Sequence, residues 1–403
     1  MKKIVLASAI SALFAAPVTV LAQAKPPAVP TLDKVLEASG ISVSGYIDAG
    51  YSYANRNIEG TGTPQPGATV GTGQFATPTV GVNPRVFDAQ NNSFVLHQVG
   101  LTVAKQPKEG FGGLVNLTMG KDANVIQSFP FAANATFDVT QAYAQWAGGP
   151  LTIIAGKFTT LHGTEVIASS GNTNISRSIL FGAVPFTHTG LRATWAVTDT
   201  INLIAGVNNG WDQLQDSNRG KTAEVGLTLN PIKPLNIAIS GYSGKETIPP
   251  NTPNSATEGV RTSGNVVASW AFTDAFSIGL EYLNVSQDKV AHLASAGTFK
   301  AKYSGYAGYV TFMPTPKWRA VLRLEAFDDH DGVHFLTVNT ASGEFQPVKY
   351  TEGTVTLAFI PSDSFELRGE VRTDKAKEPV FLDFQGNTSK SLMTVALQGL
   401  YKF

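Results

Sequence analysis

From Ile41 onward, apolar and polar side chains alternate with a period of two, interrupted by clusters of Gly, Pro, Asn and Ser. Successive side chains of a strand point to opposite faces, so this period marks strands with one oily and one wet side. About sixteen such segments can be read, near 41–54, 92–105, 111–121, 136–147, 151–159, 187–197, 200–210, 221–230, 234–244, 260–272, 275–287, 299–313, 317–328, 347–360, 364–375 and 391–403. The later ones are the cleanest. Trp318, Ala320, Leu322, Leu324 and Ala326 alternate with Lys317, Arg319, Val321, Arg323 and Glu325, and Phe365, Leu367, Gly369 and Val371 with Glu366, Arg368, Glu370 and Arg372.

The connections sort into two kinds that strictly alternate. One kind is short and built from turn formers, such as Gln106-Pro107-Lys108-Glu109-Gly110, Gly148-Gly149-Pro150, Thr273-Asp274 and Pro314-Thr315-Pro316. The other is long and polar, covering roughly 55–91, 122–135, 160–186, 211–220, 245–259, 288–298, 329–346 and 376–390. A soluble sandwich has no reason to sort its loops this way. A transmembrane antiparallel up-and-down β-barrel has one, with tight turns on the periplasmic side and long loops outside. An even strand count then places both ends of the barrel in the periplasm.

Aromatic residues add to this. Trp146, Trp195, Trp270, Phe272, Phe312, Trp318, Phe359 and Phe365 lie beside the short turns, where a barrel carries an interfacial girdle. In the final segment Met393, Val395, Leu397, Gly399, Tyr401 and Phe403 share one face. A terminal Phe403 with Tyr401 two residues before it resembles the signal read by the barrel-assembly machinery.

The N-terminus reads as a leader. Lys2 and Lys3 precede an apolar run from Ile4 to Ala16, with small-residue sites at Ala22 and Ala24. Residues 1–22 are therefore expected to be a signal peptide, 23–40 a periplasmic spacer with a short helix near 32–38, and 41–403 the barrel. The helix is a candidate plug or tether.

The segment from Gly156 to Arg192 resembles the OmpL-like putative β-barrel porins of Gram-negative bacteria. The matching residues are Gly156-Lys157-Phe158, Gly163, Glu165, Asn174, Ser176-Arg177-Ser178, Phe181, Pro185-Phe186, His188-Thr189-Gly190 and Arg192, extended by Asn208, Gly210, Trp211, Asp212 and the early Gly45-Tyr46-Ile47-Asp48. The likeness covers essentially the whole mature chain and is densest between 140 and 225. It implies a porin-like barrel in the outer membrane and little about cargo. The stretch from Gly71 to Val86 looks like a loop expansion.

Strand parity turns Asp48, Arg192, Glu224, Arg261, Glu281, Arg319, Arg323, Glu325, Glu352, Glu366, Arg368, Glu370 and Arg372 inward, where they are expected to line a hydrated lumen. Opposite charges on adjacent strands are also within reach of each other, so pairing along the wall is the competing expectation. The long loop 160–186 is the candidate constriction, with Glu165 and Arg177 at it. A third candidate, Asp328-Asp329-His330-Asp331-Gly332-Val333-His334, offers oxygen and imidazole ligands but no known metal-ligand spacing, and Asp-Gly is ordinary turn chemistry.

Composition narrows the function. The sequence carries 30 basic and 30 acidic residues, and loss of Lys2 and Lys3 with the leader leaves a formal charge of −2. A nucleic-acid partner needs a basic excess, which is missing. With no cysteine, thiolate chemistry is excluded. His97 and His188 lie on strands with no serine in a nucleophile elbow, so no enzyme and no cofactor is expected. The expected function is passive diffusion of small polar solutes or ions. The alternative is a plugged barrel acting as a surface-interaction or structural protein. Expected partners are outer-membrane lipid, the assembly machinery, the solutes, and either lipid or a second copy of the chain against the apolar outer face.

Overall fold

The computed structural model describes residues 32–58, 84–130, 135–246, 258–339 and 341–403. The expected leader and residues 71–83 of the expected loop expansion lie outside them. Leu32–Ser39 forms a helix, α1, close to where the sequence places one. It belongs to a unit separate from residues 40–403.

Among the described residues of the second unit, sixteen antiparallel strands close into one barrel. In chain order they are β1 (Ser42–Ala54), β2 (Ser93–Lys105), β3 (Gly110–Met119), β4 (Phe137–Gly148), β5 (Leu151–Thr159), β6 (Thr187–Thr198), β7 (Ile201–Asn208), β8 (Thr222–Ile232), β9 (Leu235–Glu246), β10 (Gly259–Thr273), β11 (Phe276–Ala291), β12 (Thr298–Thr315), β13 (Trp318–Asp329), β14 (Val348–Ser362), β15 (Phe365–Ala376) and β16 (Ser391–Lys402). Each strand pairs with its sequence neighbours and β16 closes on β1, so the sheet has no open edge. Closure removes the unpaired backbone groups that hydrocarbon would penalise by several kcal/mol each. Every strand read from periodicity is present, and the short and long connections alternate as expected.

The seam is tight because its residues are small where backbones meet. Gly45 and Phe403 exchange two backbone hydrogen bonds of 2.9 Å, and the Phe403 ring lies where a Cβ on Gly45 would be, 2.5 Å from Cζ. Tyr401, opposite Ile47, continues the pairing.

The outward face is apolar along its middle. Leu280, Leu324, Val355, Leu357 and Leu397 are all exposed on it, and the tryptophans at the short turns stand outward as a girdle. Trp318 packs on Phe359 at 4.9 Å between ring centres, and Trp270 stacks on Phe272. Such a face is stable only against acyl chains or another apolar surface. Leu324→Arg, at mid-height, is expected to cost about 2–4 kcal/mol, read as a lower unfolding midpoint of the refolded barrel in lipid; an unchanged midpoint would mean that Leu324 does not meet hydrocarbon.

Candidate functional site

All thirteen charged residues read as inward-facing do face the interior, because register places them on the side opposite the apolar row. They do not stand free. Arg192 donates to Glu224 at 2.5 and 2.8 Å. Arg319 and Arg368 share the Glu366 carboxylate. Arg323 reaches Glu352 at 3.2 Å, and Arg372 reaches Asp374 at 2.7 Å. Arg261 donates to Gln287 and lies over the Trp211 ring at 4.8 Å. Glu281 accepts from Asn265, and Asp48 is buried on β1. Eight of the thirteen, Arg192, Glu224, Arg319, Arg323, Glu352, Glu366, Arg368 and Arg372, thus lie in ion pairs along the wall. The counter-charge stands two residues away on the same strand for Arg368 and Arg372, diagonally on the next strand for Arg323, and two strands away for Arg192 and Arg319.

The interior also holds chain. Residues 160–186, between β5 and β6, run inside the barrel and touch strands around most of its circumference. Five carboxylates bind this segment's backbone, with Asp212 accepting from Phe186 N at 2.9 Å at its end. Glu281 accepts from Thr164 N at 2.9 Å. Glu370 accepts from Ile175 N and Ser176 N at 2.6 and 2.9 Å. Glu325 accepts from Ile179 N and Leu180 N at 2.7 and 3.1 Å, and the loop's own Glu165 accepts from Ser178 N at 2.6 Å. A loop buried away from water must find partners for its N–H groups, and a carboxyl group, with several acceptor sites on two oxygens, can take two of them at once.

Glu165 and Arg177 act within this arrangement. Glu165 also accepts from Arg323 at 2.8 Å, tying loop to wall. Arg177 is fully buried, and its guanidinium donates to the carbonyls of Val166, Ile167 and Ile175 while lying near the rings of Phe87 and Phe181. It folds the loop onto itself and offers no cation to solvent. His162 bridges Ser240 Oγ and Ser263 Oγ at 2.7 and 2.8 Å, and burial pushes its imidazole down to about 3, so it is neutral at pH 7. The accessible side of the loop carries Leu161, Thr164, Val166, Ser170, Gly171, Thr173 and Ile175, with Val166 47% exposed. None of these is charged.

A second inward segment was invisible in the sequence. Arg85, fully buried, donates to Asp374 at 2.5 Å, to Asp88 at 2.6 Å and to Thr394 at 2.7 Å. Beside it Val86 and Phe87 join Ile126, Ile167, Phe181 and Phe186 in an apolar cluster. Loop residues have no period to reveal them, although Arg85 and Asp88 three apart within a neutral loop are a faint signal. His188, on β6, stacks on Tyr242. In the Asp328–His334 stretch, Asp329 caps His334 N and Phe335 N, Asp331 accepts from Lys302 N, and His330 pairs with Asp328. Its carboxylates are committed to backbone and side chains, and no group of three metal-ligating residues occurs among the described residues.

Comparison with known proteins adds to this geometry. The model of a family described as putative beta-barrel porin-2, OmpL-like, matches residues 40–403. No curated protein sequence matches the chain. Among solved structures, the chain is similar to the outer-membrane channel DcaP of Acinetobacter baumannii, with 14% identity, a TM-score of 0.56, and coverage of 90% of this chain and 97% of that one. It is also similar to the anion-selective porin from Comamonas acidovorans, with 11% identity, a TM-score of 0.55, and 90% and 99% covered. OprB of Pseudomonas putida gives 12% identity, a TM-score of 0.54, and 93% and 96% covered. At these identities the likeness is one of fold.

Proposed function

The chain belongs to the putative β-barrel porin-2, OmpL-like family, and from that premise we propose that loop 160–186 is the filter of an outer-membrane passive diffusion channel. Passage is by diffusion through the barrel interior and involves no chemical step. The observation that carries the reading is the set of carboxylates, Glu165, Glu281, Glu325 and Glu370, that hold this loop across the interior by its backbone N–H groups. With Glu165 and Arg177 buried and hydrogen-bonded, the filter's accessible surface is the neutral face around Val166. Solutes are then selected chiefly by size and polarity.

The chain has no cysteine, so Val166→Cys would carry a single thiol. Addition of a positively charged thiol reagent during planar-bilayer recording is expected to lower single-channel conductance by at least half. Currents that ignore the reagent, in channels shown to be labelled, would remove the loop from the path.

A second reading has its own observation. The apolar cluster of Val86, Phe87, Ile126, Ile167, Phe181 and Phe186 fills interior space at the long-loop end. A barrel closed there would be a surface-interaction protein, silent in the same recordings. Export through residues 1–22, recognition of the Tyr401–Phe403 strand by the assembly machinery, and assembly with further copies of the chain complete the proposal.

A further inference from the structure

Between loop 160–186 and the short turns, the two sides of the interior differ. On β15 and β16 the inward residues Glu366, Arg368, Gln398 and Leu400 are buried. The loop leans on this side: Arg368 donates to the Ser169 and Asn174 carbonyls at 3.4 Å, and Asn174 donates to Thr356 Oγ1 at 2.7 Å. On β7–β12 the inward residues nearest the short turns keep exposed surface, so the open space adjoins that wall.

None of these exposed residues is charged. Asn202 stands opposite Thr228, Asn236 opposite Ser269 and Ser277 opposite Thr311, three cross-strand pairs that form a belt over β7–β12. Charge begins only further from the turns, at Glu224 and Glu281, where it is already bonded to Arg192 and Asn265. The side chains of Asn202, Thr228, Ser269, Ser277 and Thr311 bond no other protein group among the described residues, and Asn236 donates once, to Asn230 at 2.8 Å. The belt is therefore the reverse of the opposite wall, whose polar groups are charged and spent on one another. Above it lies an apolar patch. A Cβ on Gly226, two residues before Thr228, would lie 2.9 Å from Leu161 Cδ1 and 3.1 Å from Ile204 Cβ, so the loop's Leu161 meets the wall there.

We propose that this belt is the solute subsite of the channel and that it takes uncharged polyhydroxylated molecules, sugars and polyols. The proposal rests on the porin reading above and names the class of solute for it. A hydroxyl or an amide both donates and accepts, so the belt meets a sugar hydroxyl whichever way it points. A sugar ring also carries C–H faces, which suit Leu161 and Ile204. A small ion finds no exposed counter-charge on this wall to replace lost hydration. A wall selective for ions needs the opposite arrangement, with arginine or glutamate open to the path.

The test is planar-bilayer recording of the refolded full chain in potassium chloride. Maltotriose is the uncharged probe, and polyethylene glycol of similar size is the comparison, since its ether oxygens accept hydrogen bonds without donating any. Maltotriose is expected to lower the current saturably, and the glycol only in proportion to its concentration. Each uncharged hydrogen bond contributes about fivefold in affinity, so Asn202→Leu with Thr228→Val is expected to raise the half-blocking concentration of maltotriose at least tenfold. Should that pair not fold, Ser269→Ala with Ser277→Ala removes two hydroxyls without adding bulk and is expected to act in the same direction. Thr102→Val, on β2 across the barrel, is the control and should leave the block unchanged. A block by maltotriose no stronger than by the glycol, belt variants that keep the wild-type half-blocking concentration, or an equal loss in the control would each overturn the proposal. Calorimetric titration of maltotriose into the detergent-solubilised barrel separates the two readings. Open channels with neither saturable block nor binding heat sink the subsite and leave the porin. Silent channels that bind maltotriose sink the porin and leave the subsite, and silent channels that bind none sink both.

Discussion

Replacing Arg323 with alanine is expected to unpin loop 160–186 and raise single-channel conductance at least twofold, while lowering the stability of the refolded barrel. Arg323 has no exposed surface and joins wall to loop by several bonds. It donates to Glu352, to Glu165 at 2.8 Å, to the Ser176 carbonyl at 2.7 Å and to Ser176 Oγ at 3.0 Å. Its loss leaves the Glu165 carboxylate buried without its cation and Glu352 with only Arg372 at 3.7 Å, a change that costs about 3–5 kcal/mol. The cheapest relief is for Glu165 to swing into water, which withdraws the acceptor from Ser178 N and frees the loop's second half. Arg323→Lys keeps the charge and loses the planar fork, so it should fall between wild type and Arg323→Ala. Planar-bilayer conductance and thermal unfolding, read together, check this. Wild-type values for both in Arg323→Ala would mean that the pin is idle.

The second large effect concerns the backbone. Gly156 on β5 has φ +138°, a conformation that side-chain-bearing residues rarely adopt, and a Cβ there would fall on the Ala142 carbonyl oxygen and 2.8 Å from Tyr143 Cα. Both obstacles are backbone of β4, so neither can rotate aside. Across the next ladder, Gly190 is in the same position: its Cβ would meet the Val207 carbonyl and lie 2.6 Å from Asn208 Cα. Gly156→Val is expected to cost more than about 4 kcal/mol and to abolish recovery of the heat-modifiable folded form. Gly264→Val, at a position with nothing within 4 Å of an added Cβ, is the control and should refold like wild type. Normal refolding of Gly156→Val would show that β4 and β5 can separate at no cost.

These two residues also mark how far the sequence could be read. Gly156 and Gly190 belong to the family resemblance, but the reason for them is a close approach of backbones on four strands, β4 to β7, which a linear reading does not contain. Arg323 was placed inward correctly by parity, since a period of two leaves only two faces to choose from. Its partner Glu165 was suspected of standing in the channel, and no periodicity tells where a loop residue points. Arg177 was expected to offer charge to passing ions, yet its guanidinium is consumed by three carbonyls of its own loop. Arg85 and Asp374 meet across 289 residues of sequence, a distance over which local pattern carries no information.

The sequence by itself determined the strands, their two faces, and their alternation with short and long connections. Each follows from local stereochemistry, because a pleated chain must alternate its side chains and a bilayer sets the length of the apolar run. Only the tertiary structure decided what fills the barrel. Closing the sheet brings distant carboxylates around one space. A loop whose N–H groups need acceptors then binds whichever of them lie within hydrogen-bond reach, and that distance exists only once the barrel has closed.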